Sequence, residues 1–293
     1  MTIAALNHGN YVRRRAFSAV MDTVCLLAAL IGLVVLAQIL GTLVQKGAQA
    51  LSLNTFTHAE KATPGLGGGL ANSIVGSLIQ TGIGTLIGAP LGILVGIYLA
   101  EVGHTGRFAA VVRFVNDILL SAPSILVGLF VYEVLVVPHA PFIAGGFSGM
   151  AGAIALALLA MPVIARTTED IIKLVPQSYR EGSIALGARD SVTILQVVVP
   201  AAFGGILTGI LLAVARISGE TAPLIFTSFG SYFSSASVTH GPMASLPITI
   251  YRYASDVVHE HNQIAWAGAL IITVGVLVLN IVSRTSHALI SKK

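Results

Sequence analysis

Arg216, Glu220, Thr221 and Pro223 lie inside an apolar run, residues 201–229, that is long enough to cross a bilayer. An Arg at the centre of a membrane helix costs about 2.5–3.5 kcal/mol on insertion scales. Charged side chains at such depth rarely face lipid, and their default reading is a polar pathway for a solute. On a continuous helix Arg216 and Glu220 stand one turn apart and can neutralise each other. Pro223 has no N–H, so the same helix would leave the Gly219 carbonyl without its partner. A cation, a carboxylate, the Thr221 hydroxyl and a free carbonyl thus fall within about two turns. Position alone allows two readings: contacts for an anion in transit, or a buried ion pair that fixes helix packing.

The elements that must hold these residues are membrane helices. The chain has 293 residues, 55% of them hydrophobic and only 10% charged, and a mean hydropathy of +0.88. Soluble domains carry about 25% charged residues, so composition argues against a soluble enzyme. The single cysteine, Cys25, excludes an internal disulfide. The net charge of +4 does not point to nucleic acid, because its location has another explanation.

Six spans are expected, at about residues 19–44, 71–99, 114–137, 150–165, 201–229 and 264–282. The first follows Arg13, Arg14 and Arg15 and is read as an uncleaved span, since its apolar run is about twice that of a signal peptide. The second carries Gly84, Gly88, Gly92 and Gly96, one per turn, a stripe against which a neighbouring backbone can approach. Pro90 predicts a kink there. Asp117 is expected to pair with Arg113 within the third span, which also holds Pro123 and Glu133. The fourth span is the shortest and ends at Arg166. Residues 166–200 are charged and read as helical but not spanning. His259-Glu260-His261 does not read as a metal site, because residues two apart do not share a helix face. With six spans, twelve of sixteen Lys and Arg fall on one side, three (Lys46, Lys61, Arg252) on the other, and Arg216 in the membrane. The positive-inside rule then places both termini in the cytoplasm.

Between spans four and five the chain reads Arg180-Glu181-Gly182-Ser183-Ile184-Ala185-Leu186-Gly187-Ala188-Arg189, then Val197-x-Val199-Pro200. This is a short helix with a glycine-permitted bend, and its charged flank suits either solvent or a socket on a soluble partner. Glu181, Gly187, Val197, Val199 and Pro200 resemble the Glu-Ala-Ala loop of ABC importer membrane subunits, with Gly182 and Ser183 in place of the two alanines. Arg166-Thr167-Thr168-Glu169-Asp170, Lys173-Leu174-Val175-Pro176, Thr208-Gly209-Ile210-Leu211-Leu212-Ala213, Arg216-x-x-Gly219-Glu220-Thr221-Ala222-Pro223, Leu246-Pro247-Ile248-Thr249-Ile250 and Ala265-Trp266-Ala267-Gly268 narrow the resemblance. They are similar to the PstA-type permeases of phosphate-specific importers, over about residues 71–285.

The resemblance implies an all-α integral membrane protein with six transmembrane helices in the type I ABC importer permease (MetI-like) fold, in the cytoplasmic membrane of a prokaryote, with both termini cytoplasmic. Residues 1–48 would be the cytoplasmic N-terminus and first helix, 49–70 an extracytoplasmic loop, 71–285 the transport core with coupling loop 166–200, and 286–293 a cytoplasmic tail. Implied partners are a PstC-type permease forming a heterodimer, two ATP-binding subunits and an extracytoplasmic phosphate-binding protein, within membrane lipid; the substrate is inorganic phosphate. Arg180, Glu181, Ala185, Gly187 and Arg189 would couple to the ATPase, with Arg180 and Arg189 on the docking flank. Arg216, Gly219, Glu220 and Thr221 would line the pathway, while Gly84, Gly88, Gly92, Gly96 and Pro223 are structural. No cofactor or metal is implied.

Independently, no Gly-Lys pair occurs anywhere, so a P-loop for ATP is excluded and the chain is read as a permease rather than an enzyme. In the implied mechanism an oxyanion takes the Arg216 guanidinium and then faces Glu220. Phosphate keeps a proton to donate to that carboxylate and sulfate does not. A permease for sulfate or molybdate, or an ATP-independent channel or transporter, remains the alternative.

Overall fold

The structure is a computed structural model that describes residues 3–61, 68–103, 106–137, 145–232 and 238–290. His104, most of the loop between the third and fourth spans, and the tail lysines 292 and 293 lie outside the described residues. Those described are helical, apart from loops and two isolated bridges, Ser148 with Gly241 and Phe229 with Met243. Among the described residues five helices are long and apolar enough to span a membrane, and a bent pair makes six if it is one span.

Helix α1 (Ile3–Ala50) is uninterrupted, and its most apolar window is entirely exposed. It meets the rest at its far end, where Gly47 lets it close on α12 (His259–Ile290): a Cβ there would lie 2.7 Å from Leu270 Cβ. After short α2 (Leu53–Thr57), α3 (Ala71–Ile97) runs through Pro90 and ends in a π-helical turn, Tyr98–Val102. The glycine stripe lies against α6 (Gly149–Lys173). A Cβ on Gly84, Gly88 or Gly92 would sit 2.8–2.9 Å from backbone oxygens of α6, and one on Gly96 would sit 2.6 Å from Thr168 Cβ. Close helix contact of this kind substitutes van der Waals packing for the hydrophobic force that lipid removes.

Helix α6 is central, two-thirds of its apolar window being buried. Its Leu156, Leu159, Ala160, Val163 and Ile164 form a core with Val127, Ala213, Ile217, Leu224 and Ile248 from four other helices. It is also not the shortest span: it continues past Arg166 to Lys173, because Thr168, Glu169 and Ile172 remain buried. The expected loop 166–200 therefore shrinks. It comprises α7 (Gln177–Ala185), α8 (Asp190–Thr193) and a π-helical turn, Ile194–Val198, that runs directly into α9 (Val199–Ile217).

Two expected spans are broken. The third consists of α4 (Arg107–Ser121) and α5 (Ser124–Val131), the latter continued by the π-helical turn Tyr132–Val136, bent by 106°. Pro123 drives its predecessor Ala122 to ψ 138°, out of the helical region. The fifth ends at Ile217 and resumes as α10 (Ala222–Thr227), so Pro223 opens a helix, where a missing N–H costs nothing, rather than interrupting one. The two breaks meet: a Cβ on Gly128 of α5 would lie 2.5 Å from Pro223 Cα. Helix α11 (Leu246–Ala254) occupies part of what reads as loop, and His259-Glu260-His261 belongs to α12.

Candidate functional site

Arg216 lies in the last turn of α9 and its side chain is exposed. Because α9 stops one residue later, Ser218 to Thr221 leave the helical path and Glu220 is not one helical turn above the guanidinium. Among the described residues no ion pair joins Arg216 to Glu220, which corrects the expected helix pair. Half-buried Glu220 and Thr221 stand at the break, and among the described residues no backbone N–H donates to the Gly219 carbonyl. The expected groups thus share one discontinuity, with cation and carboxylate uncommitted to each other.

One side of α9 leads away from Arg216 through Leu212 and Thr208. There a cavity of about 250 Å³ is lined also by Thr167 and Asp170 of α6, and Asp170 pairs with Arg166 at 3.2 Å. A second apolar cavity, about 750 Å³, opens between α3, α9 and α12, with Ser77, Thr81, Thr85 and Ser218 among its few polar groups.

At the other end of α9 the charged segment divides its residues by role. Helix α7 closes in a Schellman cap: Ala188 N–H donates to Ser183 O at 3.2 Å and Gly187 N–H to Ile184 O at 2.9 Å. The cap puts Gly187 at φ +82°, a region that favours glycine. Glu181, Ala185, Gly187 and Arg189 face outward beside exposed Tyr179, Ile184 and Leu186, the last 91% exposed. Arg180 does not join that flank. Its Nη2 donates to Glu101 at 2.5 Å, and its guanidinium also donates to the Val175 and Ile172 carbonyls. The expectation fails because the α7 turn directs Arg180 back onto the buried end of α3.

Arg113 likewise serves another partner than expected. It donates to Glu169 at 2.9 Å and to the Leu99 carbonyl at 2.7 Å, while Asp117 is exposed. Lys173 adds a second cation 2.5 Å from Glu169. Glu101 and Glu169 are therefore buried anchors between α3, α4, α6 and α7. Sequence reading missed them because their arginine partners lie 79 and 56 residues away. The hint was that Glu169 falls in helical register with buried Ala165 and Ile172.

A third buried carboxylate, Glu60, was not legible at all. It lies in the loop before α3, only 3% exposed. Its Oε1 accepts from Thr249 at 2.6 Å and from Ser73, whereas Oε2 has no partner among the described residues. Burial raises its pKa to about 7, against smaller opposing effects of the Thr249 bond and Arg252.

His261 bonds Asp256 at 2.6 Å and stacks on Tyr253. Among the described residues no three His, Cys, Asp or Glu side chains converge as metal ligands.

Residues 92–293 match the family model described as "Binding-protein-dependent transport system inner membrane component". The Haemophilus influenzae "Phosphate transport system permease protein PstA" is 49% identical over 273 residues, 92% of this chain and 94% of that protein. The Mycobacterium tuberculosis "Phosphate transport system permease protein PstA 1" is 34% identical over 275 residues, 92% of this chain and 88% of that one. Among solved structures, a bacterial alginate ABC transporter in complex with a pentasaccharide-bound periplasmic protein aligns over 92% of this chain and 96% of its own, with TM-score 0.63 and 14% identity. The MetNI methionine ABC transporter, inward facing, aligns over 75% and 93% with TM-score 0.57 and 16% identity. Both structural likenesses concern the fold.

Proposed function

This chain belongs to the family of binding-protein-dependent transport system inner membrane components, and we propose that within it the chain is the permease subunit of an ATP-driven importer of inorganic phosphate. It is a multi-pass membrane protein of an ABC importer complex. Close relatives over nearly the whole chain carry the phosphate permease name, and the observation that carries the site is the exposed Arg216 at the break between α9 and α10. A guanidinium presents a planar fork of donors that matches an oxyanion. Among the described residues it has no carboxylate partner; Glu220 and Thr221 follow at the break, and its own helix face continues through Thr208. The oxyanion satisfies Arg216, and Glu220 accepts the proton that phosphate retains and sulfate lacks.

The surface around Glu181 and Gly187 receives the ATP-binding subunit. A rigid Schellman-capped helix with protruding Leu186 fits a groove on such a partner and transmits its movement. Arg180 and Glu101 carry that movement into α3. ATP hydrolysis is done by that partner, present in two copies, and a PstC-type permease completes the membrane pathway. An extracytoplasmic binding protein delivers phosphate. Both termini face the cytoplasm, in keeping with the distribution of Lys and Arg.

The test is phosphate uptake into proteoliposomes that hold the assembled complex, with sulfate and molybdate as competitors. ATP-dependent uptake that neither competitor suppresses is expected. Uptake that proceeds without the ATP-binding subunit, or that prefers sulfate or molybdate, would overturn the assignment.

A further inference from the structure

Helix α10 is only six residues long, about 9 Å, so the chain that leaves Glu220 and Thr221 re-emerges from the membrane core within a short distance. At its far end Phe229 holds φ +61° and Gly230 φ +83°. A left-handed backbone on a bulky residue is strained, and such strain persists where surrounding contacts over-determine it. Phe229 is fixed by stacking on Phe147 at 4.7 Å between ring centres. Met243 N–H donates to Ser228 O, and Asn72 Nδ2 donates to Ser231 O at 3.1 Å. The turn 229–232 is thus built, not slack.

What this turn frames is Arg252 of α11. A Cβ on Gly230 would lie 2.3 Å from Arg252 Nη2, so the guanidinium rests against the bare backbone of a glycine that φ +83° already favours. One face of that group covers the Tyr232 ring, 4.7 Å from its centre. A cation stacked on an aromatic face keeps its N–H edges free. Among the described residues Arg252 has no ion pair and no hydrogen bond. It opens instead on a cavity of about 640 Å³ lined also by Ser231, Tyr232 and Tyr251. Glu60 attracts it electrostatically, but among the described residues the two form no ion pair, and Glu60 Oε1 accepts from Thr249 instead. An unsatisfied cation with two phenols at the mouth of a cavity fits a small oxyanion.

We propose that Arg252, with Tyr232 and Tyr251, forms an oxyanion-receiving pocket on the extracytoplasmic side, upstream of Arg216. The inference rests on the phosphate-permease reading above. Phosphate would first be held at Arg252 and then pass along α10 to the break at Glu220.

Accessibility labelling tests it in the assembled importer. Cys25, the only cysteine of this chain, is replaced by Ala, and Pro242→Cys, at an exposed position that lines the cavity without a proposed contact, supplies a thiol at the pocket. Labelling of this chain by a charged thiosulfonate is followed with inorganic phosphate or chloride at equal ionic strength. Phosphate is expected to slow labelling about tenfold at saturation while Arg252 is present, to slow it less in Arg252→Lys, and not at all in Arg252→Gln, the loss expected for one charge-assisted contact. Equal slowing in all three, or none in any, overturns the pocket. Phosphate uptake by the unmutated importer is measured alongside. If that uptake is normal and labelling is indifferent to phosphate, the pocket alone fails; if there is no phosphate uptake, the permease assignment fails on its own.

Discussion

The Arg180 guanidinium closes on the Glu101 carboxylate at 2.5 Å across 79 residues of chain, with only 15% and 8% of the two side chains exposed. This joins the segment proposed to meet the ATPase to the end of the helix carrying the glycine stripe. Breaking a buried pair from one side leaves an uncompensated charge and costs about 3–5 kcal/mol, whereas removing both partners costs less. Arg180→Ala is therefore expected to lower the unfolding temperature of the purified protein more than the double variant Arg180→Ala/Glu101→Ala. Additive losses in that cycle would show the contact to be energetically idle.

Gly187→Asp tests the coupling surface. Nothing lies within 4 Å of a Cβ at this position, so the change strains the backbone without a clash, at about 1 kcal/mol. The complex is expected to assemble with normal basal ATPase, while stimulation by phosphate-loaded binding protein falls. Full stimulation would remove Gly187 from the coupling segment.

At the break between α9 and α10, Arg216→Ala is expected to abolish phosphate uptake and Arg216→Lys to reduce it at least tenfold, because an ammonium lacks the planar fork. Thermal stability should change little in either variant, since the side chain is exposed and unpaired. Glu220→Gln should admit sulfate as a competitor that the unmodified protein ignores. Uptake and sulfate rejection that survive both changes would return these residues to a packing role.

The glycine stripe gives a matched comparison on a single helix. Gly88→Val drives side-chain atoms into the Ala157 carbonyl, 2.9 Å from the first added carbon, and should cost at least about 1–3 kcal/mol. Gly82 has nothing within 4 Å, so Gly82→Ala should be neutral or raise stability by up to about 1 kcal/mol. Thermal unfolding in detergent distinguishes them.

Glu60 predicts a pH dependence. Burial holds its pKa near 7 against an ordinary 4.5, so the folded protein binds a proton that the unfolded chain has released between those values. Stability contributed at this site is therefore greatest at low pH and declines as pH rises from about 4.5 to about 7, by about 3 kcal/mol in all. Glu60→Gln, which cannot ionise, should flatten that slope in unfolding temperature and raise stability at pH 8. An unchanged slope would locate the titration elsewhere.

The sequence by itself determined the chemistry of the membrane segments. Hydropathy located the apolar segments, glycines four residues apart marked the close-packing face of α3, and Gly187 six residues after Glu181 marked the capped helix, because these signals are local and repeat with the helical period. Tertiary structure alone decided the partners. Arg113 chose Glu169 over Asp117, and Arg180 chose Glu101 over solvent, since a buried carboxylate competes for any cation that folding brings near, whatever the sequence distance. It also decided that the fifth span breaks at Ile217, leaving the Arg216 side chain exposed beside the break. A periodic pattern reads a break and a kink alike, and only the packing of Gly128 on Pro223 fixes which one occurs.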